Sequence, residues 1–562
     1  MAGSEPPFRT GRPSMGIGEQ VRRILVRAAR AVAAVAPSIL LAACATVTQA
    51  PDPTKTAPAA EDGIVVVSVT GNTAQVNQFD QISVRRLPAP GAPETSVRES
   101  HVLQQVSVGL ARDTALFVGI VPQGEYELER FVDVDTRKVL NLGDGGRQLL
   151  GNFGVKPGAL VDLGRLIVTP VNTRVIVGRS SLVTSNAELV KRFAPEHAKF
   201  YSREVVSGWT RGRGAEDRVE EYALTRPAGA DAVTELASGE VAAASRLGTV
   251  LLRDKQGRWR RLHSGRLESV LWVKPVDLPN AALVAVGEFN TFLRLDRASG
   301  RLVPIEPGNL PSGNLLFFDG NAQAGWFIAQ QNGTDVTLYR SAALENGDWR
   351  PVGKESVAVS IWSGANSFWA WSTAQGFAYA VSGGYIRYYD YGSGQWTERR
   401  APKENRLISV VPHPGGALGI LTSPGGGFGG IFATLYLSRD GGASWEEINS
   451  PFNVKMYAPR LTPQGTLLVA GGAFSKPELQ ASKDGGKTWT QITDKFNLAE
   501  QIVVLPSQGL LAIDNGTQFG LAGIRHSADG GATWRLEYSN FDRAAYDAER
   551  KRKEAQEIRA PN

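Results

Sequence analysis

The sequence predicts an all-β protein in which a small N-terminal β-sandwich is followed by a seven-bladed β-propeller with four-stranded blades. The first observation is composition: 562 residues include 62 Gly and 46 aromatic residues (12 Trp, 13 Tyr and 21 Phe), against 3 Met. Many glycines and aromatic rings are typical of turn-rich β proteins. The second observation is a unit of about 46 residues that recurs along the C-terminal part of the chain. The length exceeds one compact domain, so at least two are expected.

The repeat is clearest in three segments, SRDGGASW (438–445), SKDGGKTW (482–489) and SADGGATW (527–534). The shared positions are Ser438, Asp440, Gly442 and Trp445; Ser482, Asp484, Gly486 and Trp489; and Ser527, Asp529, Gly531 and Trp534. This pattern resembles the Asp-box (BNR-type) repeat of sialidases, sortilin-type receptors and the photosystem II assembly factor family. The resemblance implies a propeller that carries each box at the turn between the third and fourth strands of a blade.

Four weaker copies precede these boxes and end at Trp259, Leu302, Trp349 and Trp396, which gives successive spacings of 43, 47, 47, 49, 44 and 45 residues. A period near 45 residues corresponds to one four-stranded blade. The seven copies therefore predict a propeller over residues 219–540.

The box residues have a structural explanation. The aspartates can accept hydrogen bonds from backbone N–H groups in a tight turn, and the glycines supply a positive φ. The tryptophans can cover the hairpin and bury apolar area. We therefore interpret the boxes as structural turns at the blade periphery, rather than as calcium ligands or general acids.

The N-terminal residues 1–44 are predicted to be a secretory signal. The basic stretch RRILVRAAR (22–30) precedes an apolar run that is too short to span a membrane. Residues 41–44 resemble the bacterial lipobox, which implies that Cys44, the only cysteine, carries lipid. Because Ala45 stands where an inner-membrane retention signal usually has Asp, the resemblance implies an outer-membrane lipoprotein that faces the periplasm or is surface exposed. Residues 45–61, rich in Ala, Thr and Pro, are predicted to be a flexible tether.

Short apolar runs separated by Gly and Pro turns predict the β-sandwich over residues 62–178; they lie at 64–69, 81–84, 115–120, 124–128 and 163–168. The segments at 121–128 and 153–166 resemble transthyretin-like or carboxypeptidase-regulatory-like sandwich modules of bacterial lipoproteins, which implies a spacer or binding domain without catalysis. Residues 179–218 are predicted to be a helical linker.

Three further expectations concern the linker and the C-terminal tail. The linker is predicted to break at Pro195, with Ser185 as an N-cap that forms a capping box with Glu188. His197 is expected to be a solvated surface residue. Residues 541–562 carry charges of both signs at helical spacing and predict an exposed C-terminal helix.

Charge and composition exclude several classes of function. The net charge is +6, but the first 43 residues hold six Arg against two Glu, so the remainder is close to neutral and does not predict nucleic-acid binding. One cysteine excludes an intrachain disulfide and Cys-rich metal centres. The chain lacks HExxH, GxSxG and GxxxxGK motifs. No metal or other cofactor is therefore expected.

The enzyme to consider is a sialidase, because sialidases are Asp-box propellers. That family resemblance would require three arginines that grip a carboxylate, a Tyr–Glu nucleophile pair and an Asp acid. The family's arginine motif at the start of the propeller is missing, and only Arg460 lies on an expected inner strand. The sequence therefore predicts a protein without enzymatic activity, with a glycan-binding or sialidase-like hydrolase as the alternative.

The candidate binding surface is the propeller face opposite the boxes, where the loops between second and third strands lie. Five of these loops contain an aromatic residue, namely Phe289, Tyr385, Phe428, Phe474 and Phe519. They predict an aromatic rim for a protein partner or a glycan. The predicted function is thus a membrane-anchored periplasmic lipoprotein that acts as a binding or assembly platform.

Overall fold

The computed structural model describes residues 46–73, 79–88, 99–134, 137–172, 174–212, 218–357, 359–360, 364–365, 368–373, 375–381, 385–402, 406–423, 433–455, 457–473, 476–493, 500–507, 509–515 and 522–559. The predicted signal sequence and Cys44 lie outside these residues.

The N-terminal domain consists of strands and one short helix. The strands are β1 (Thr46–Gln49), β2 (Asp62–Gly71), β3 (Gln81–Arg86), β4 (Glu99–Gln105), β5 (Thr114–Pro122), β6 (Gly124–Asp133), β7 (Lys138–Asn141), β8 (Asn152–Val155), β9 (Leu160–Val171), β10 (Arg174–Arg179) and β11 (Val205–Val206). Helix α1 (Gly143–Leu150) connects β7 to β8. Each of the five apolar runs found in the sequence lies within a strand.

These strands form one connected sheet in the order β10-β9-β2-β5-β4-β3-β6-β7, with β1 on β4, β8 on β6 and β11 on β9. Residues from distant strands, among them Val67, Phe117, Phe131, Phe153 and Val168, share a single buried cluster. The sheet therefore curls around one core, which holds the domain together by apolar burial.

The segment predicted to be a flexible tether is ordered from residue 46 onward, so that prediction is wrong for residues 46–56. β1 pairs in parallel with β4, from Thr46 opposite Glu99 to Gln49 opposite Val102. Ala50 is buried in the domain core. The physical reason is that β5 pairs with only the last two residues of β4, which leaves the rest of that edge free to bind β1.

The linker breaks at Pro195, as the sequence predicts, into α2 (Ala187–Phe193), α3 (Pro195–Ala198) and a 3₁₀ turn (Lys199–Ser202). The predicted capping box does not form. Asn186 occupies the N-cap position without a side-chain cap bond. The Ser185 hydroxyl instead donates to Asp162 Oδ2 at 2.8 Å and accepts the N–H of Ala187 at 3.2 Å.

The expectation that His197 is solvated is also wrong. The side chain is only 4% exposed, because the N-terminal segment folds over the linker. Its ring nitrogens lie 3.2 Å from Asp52 Oδ1 and 3.1 Å from Glu196 Oε1. Asp52, which lies eight residues after Cys44, thus contacts the linker directly.

The C-terminal part is a seven-bladed propeller of four-stranded antiparallel blades, which confirms the predicted fold class. Blades 1 to 3 are β12 (Val233–Glu235), β13 (Val241–Ala244), β14 (Thr249–Arg253), β15 (Trp259–His263); β16 (Val270–Leu278), β17 (Ala281–Gly287), β18 (Thr291–Asp296), β19 (Leu302–Ile305); and β20 (Asn314–Asn321), β21 (Gly325–Asn332), β22 (Asp335–Ser341), β23 (Arg350–Ser356). A small hairpin, β24 (Val359–Ser360) with β25 (Gly364–Ala365), follows blade 3.

Blades 4 to 7 are β26 (Phe368–Ser372), β27 (Gly376–Val381), β28 (Tyr385–Asp390), β29 (Trp396–Arg400); β30 (Arg406–Pro412), β31 (Leu418–Ser423), β32 (Thr434–Ser438), β33 (Glu446–Ile448); β34 (Arg460–Leu461), β35 (Leu467–Ala473), β36 (Lys476–Ser482), β37 (Thr490–Thr493); and β38 (Glu500–Leu505), β39 (Gly509–Asp514), β40 (Gly523–Ser527), β41 (Arg535–Ser539). Two helices flank the propeller: α4 (Val219–Thr225), whose Ala223 packs with Ile167 of β9, and the C-terminal helix α5 (Arg543–Arg559), which confirms the predicted helical tail.

Each blade uses consecutive strands, so within the described residues the first and last blades share no strand. They are joined by side chains instead. Val241 and Leu251 of blade 1 pack with Leu511 and Ile513 of blade 7. At the same junction, Arg253 binds Glu537 through two contacts of 2.6 and 3.0 Å.

Candidate functional site

The three box turns hold their aspartates in closed hydrogen-bond networks. In blade 5, Asp440 accepts the N–H of Ser444 at 2.8 Å and its hydroxyl at 2.6 Å, while the hydroxyl of Ser438 accepts the N–H of Gly442 at 2.7 Å. In blade 7, the hydroxyl and backbone N–H of Thr533 lower the pKa of Asp529 to about 2. The carboxylates are thus fully engaged within their turns.

The other box residues also have structural contacts. The glycines Gly442, Gly486 and Gly531 have φ values of 93°, 92° and 99°, a region that strongly favours glycine. The indole N–H of Trp445 donates to the carbonyl of Arg400 in the preceding blade at 3.0 Å, and Trp489 does the same to Asn449 at 2.9 Å. The boxes of blades 5 and 6 therefore tie each of these two blades to the one before it.

The predicted aromatic rim is wrong at Phe289. This ring is only 4% exposed and packs on Phe193 of α2, with 4.7 Å between ring centroids. The physical reason is that the linker lies over this loop of blade 2. Tyr385 is 53% exposed at the start of β28. Phe428, Phe474 and Phe519 lie outside the described residues.

The face that carries this loop is covered at blades 1 and 2 by the N-terminal domain. Glu288 of blade 2 accepts the backbone N–H of Arg112 at 2.7 Å and the hydroxyl of Thr114 at 2.9 Å. Burial and the charge of nearby Asp113 raise the pKa of Glu288 to about 7.

Ion pairs also cross this junction, among them Arg112 with Asp231 at 2.9 Å. Arg165 of β9 lies 2.6 Å from Glu268, and Arg246 of blade 1 lies 3.2 Å from Asp113. All four side chains are largely buried, so removing Glu268 would leave the charge of Arg165 uncompensated, whereas Asp113 is also paired with Arg112. The N-terminal domain is therefore firmly attached to this face of the propeller.

Arg460, the one arginine that the sequence placed on an inner strand, is buried in blade 6. Its Nε donates to the carbonyl of Ile502 at 2.9 Å and its Nη1 to the carbonyl of Ala458 at 2.6 Å. Burial lowers the pKa of Arg460 to about 10. Since its donors serve backbone carbonyls, this guanidinium is not placed to grip the carboxylate of a substrate.

The box face of the propeller carries a cleft of about 1060 Å³, which we call the box-face cleft. Box or box-like turns of three blades line it, through Lys255 of blade 1, Lys483 of blade 6 and Asp529 of blade 7. Apolar side chains including Leu468, Val504 and Leu510 form part of its wall, with Thr462, Thr466, Gln491 and Ser507 as polar groups.

Sequence reasoning missed this cleft because its lysines occupy variable positions of the repeat. Lys483 is the second residue of SKDGGKTW, and Lys255 lies in the degenerate copy that ends at Trp259. A repeat pattern identifies what the copies share, whereas a ligand site depends on where they differ. The sequence signal that could have indicated the cleft is a lysine directly before or directly after the aspartate of a box.

The acidic groups near the cleft are all engaged. Asp529 is held by its turn, Glu537 by Arg253, and Glu235 accepts the N–H of Ser507 at 3.1 Å. Among the described residues, no group of three His, Cys, Asp or Glu side chains could hold a metal ion. In the same part of the chain, no helix is long and apolar enough to cross a membrane.

Comparison with known proteins gives likenesses to solved structures only. No protein-family model matches the chain, and no curated protein matches it. The chain is similar to a structure described as YCF48 bound to D1 peptide, at 18% identity and a TM-score of 0.35, over 51% of this chain and 91% of that one. It is also similar to the GH74 xyloglucanase from Xanthomonas campestris, at 13% identity and a TM-score of 0.38, over 56% of this chain and 55% of the xyloglucanase.

Proposed function

We propose that the protein is a lipid-anchored, non-enzymatic binding protein of the cell envelope, which docks a partner protein on the box face of its propeller. The observation that carries this proposal is the position of the N-terminal domain. It covers the opposite face at blades 1 and 2, where Phe289 and Glu288 are buried. The box-face cleft is left open and is large enough for a segment of a partner.

The path of the chain supports a role in presentation at a membrane surface. Thr46 pairs with Glu99, which lies at the end of the sheet opposite to Thr114. Thr114 lies at the end of the sheet that faces the propeller, where its hydroxyl contacts Glu288. A nine-residue strand such as β5 spans about 30 Å. Lipid on Cys44 would therefore hold the propeller away from the bilayer, where a partner can reach it.

The chemistry of the cleft favours binding over hydrolysis. Glycoside hydrolysis by two carboxyl groups needs one to act as an acid and the other as a nucleophile or base. The carboxylates at this cleft accept hydrogen bonds from their own turns or pair with Arg253, and the pKa of Asp529 is lowered rather than raised. A lowered pKa removes the proton that a general acid must donate.

The proposal is tested by blocking the cleft at one alanine. Ala532 lines the cleft from the box turn of blade 7, and Ala443 holds the equivalent position in blade 5, outside the cleft. Tagged wild-type protein, Ala532→Trp and the matched control Ala443→Trp are used to capture partners from detergent-solubilised envelopes. We expect wild type and the control to recover the same stoichiometric protein, and Ala532→Trp to lose it.

Anchoring is measured in the same strains. Cys44→Ser is expected to abolish incorporation of labelled palmitate and to release the protein from the membrane fraction. Docking at the cleft would be overturned if the wild type, Ala532→Trp and Ala443→Trp all recovered the same partner. It would also be overturned if the wild type recovered no partner. Unchanged palmitate labelling in Cys44→Ser would overturn the anchor.

A further inference from the structure

We infer that the box-face cleft binds an acidic peptide segment, whose carboxylates contact Lys255 and Lys483 while its apolar side chains pack on the wall of the cleft. This inference rests on the proposed function and names the chemistry of the docked partner. It concerns the blade 6, 7 and 1 side of the box face, which is distinct from the aromatic rim that the sequence suggested.

The two lysines are available to a ligand. Both are exposed, and within the described part of the chain neither has a carboxylate oxygen within 4.0 Å of its ammonium group. Each nevertheless follows or precedes an aspartate in its turn, namely Asp254 beside Lys255 and Asp484 beside Lys483.

Those neighbouring aspartates do not neutralise the lysines, because other donors occupy them. Asp254 accepts the N–H groups of Gln256 and Arg258, both at 2.9 Å, and the Arg258 guanidinium at 2.7 Å. Asp484 accepts the N–H and hydroxyl of Thr488 at 2.9 and 2.6 Å. The turn geometry thus engages the carboxylates and leaves the ammonium groups free.

The position of Lys255 is also shaped by its surroundings. A Cβ atom at Gly239 would lie 2.7 Å from Cε of Lys255. Gly239 has a φ of 78° in the turn between β12 and β13. The positive φ favours glycine at this position, and the end of the Lys255 side chain lies against its backbone.

The rest of the lining fits a peptide better than a sugar. Threonine hydroxyls and glutamine amides can both donate to and accept from a peptide main chain. Leu468 and Leu510 offer apolar wall area, and among the described residues the cleft is lined by the imidazole of His526 but by no Trp, Tyr or Phe ring. Sugar rings pack their C–H faces on the broad faces of aromatic rings, and the described lining offers no Trp, Tyr or Phe platform of this kind. The volume of about 1060 Å³ exceeds that of most small-molecule pockets.

The test uses purified full-length protein in detergent and a fluorescein-labelled nonapeptide with two central Leu residues flanked by Glu on each side. The control peptide has Gln at both Glu positions. Binding is followed by fluorescence anisotropy at low and high salt. Lys255→Gln and Lys483→Gln remove the two contacts, and Lys487→Gln removes an exposed lysine of the same blade 6 turn that does not line the cleft.

We expect the Glu peptide to bind and each cleft variant to weaken its Kd by about 2- to 5-fold, in the range of exposed ion pairs. The double variant is expected to weaken it by about 10-fold, and Lys487→Gln to leave it unchanged. Binding should weaken as salt rises, because exposed charges are screened. All variants should keep the thermal midpoint of the wild type, since both lysines are solvent exposed.

Equal binding of the Gln peptide, or unchanged binding in the double variant, would overturn the inference. Binding of an oligogalacturonate in place of the peptide would overturn it in favour of an acidic glycan. Failure of the acidic-peptide inference can be distinguished from failure of partner docking at the cleft. If Ala532→Trp loses the captured partner while the lysine variants keep it, the cleft is a docking site for a segment of different chemistry.

Discussion

At the scale of single residues, the interior of the propeller contains a neutral histidine beside a buried arginine. His413 lies 3.2 Å from the carbonyl of Pro459 through Nε2, and the N–H of Leu461 lies 3.4 Å from its Nδ1. Burial and the charge of Arg460 lower the pKa of His413 to about 3. The ring therefore serves as a neutral hydrogen-bond bridge between blades 5 and 6.

The lowered pKa makes His413 a source of acid sensitivity. In the unfolded chain its pKa is near 6.5, so below that pH the unfolded state binds a proton that the folded state does not. Stability from this residue is complete above pH 6.5 and is lost as pH falls towards 3. Each pH unit in this window corresponds to about 1.4 kcal/mol.

We therefore predict a pH-dependent difference between wild type and His413→Gln. At pH 8 the wild type should be more stable by about 1 to 2 kcal/mol, because Gln forms poorer hydrogen bonds at this site. The advantage should shrink by about 2 kcal/mol between pH 6.5 and 5. Urea unfolding followed by tryptophan fluorescence measures both. Parallel stability curves over this range would show that the histidine is protonated in the folded protein.

At the scale of secondary-structure elements, the propeller ring closes through side chains rather than a shared strand. Arg253 of β14 and Glu537 of β41 are 3% and 1% exposed, and they join the first blade to the last. Trp259 adds an indole N–H to the same carboxylate at 3.3 Å. The ring is thus closed by a buried charge pair in addition to the apolar contacts between these blades.

Removal of one partner from this pair is predicted to be costly. Glu537→Gln removes the negative charge that faces the buried guanidinium of Arg253, and it should destabilise the protein by about 3 to 5 kcal/mol. Glu398→Gln is the matched control, since Glu398 is 57% exposed and lies 3.6 Å from Arg387. It should change stability by less than about 1 kcal/mol. Equal shifts in the urea midpoints of the two variants would contradict closure by the buried pair.

The elements also show what sequence can predict. The spacing of Trp259, Trp396 and Trp445 predicts the blades, because the turn chemistry of each box is local. β1 and the contact between Phe193 and Phe289 could not be predicted, because they arise from residues far apart in the chain. Local pattern specifies a strand or turn, whereas the surface that covers it is decided by tertiary packing. The open cleft was missed because the lysines that line it occupy variable positions of the repeat.

At the scale of the whole molecule, the two domains meet at a carboxyl group whose protonation state affects the stability of the protein. Glu288 of blade 2 contacts the backbone at Arg112 and the hydroxyl of Thr114 in the N-terminal domain. Burial and nearby Asp113 raise its pKa to about 7, against 4.5 in an unperturbed glutamate. At Glu288, therefore, the folded state binds more protons than the unfolded chain between pH 4.5 and 7.

This linkage has the opposite sign to that of His413. For Glu288, stability is complete below pH 4.5 and is lost as pH rises through 7, by up to about 3 kcal/mol. Between pH 4.5 and 6.5 the two residues oppose each other, so the wild-type curve conceals both. The single variant His413→Gln should reveal the Glu288 contribution, as stability that declines when pH rises from 4.5 to 7.

The double variant His413→Gln/Glu288→Gln isolates the junction. The neutral amide of Gln can still accept the N–H of Arg112, and it carries no charge to be desolvated. We expect its stability to be nearly flat from pH 4.5 to 7 and to exceed that of His413→Gln at pH 8. Urea midpoints at half-unit pH steps provide the measurement. A double variant that keeps the slope of His413→Gln would place the titrating group elsewhere, and the docking of the two domains would then be independent of pH at Glu288.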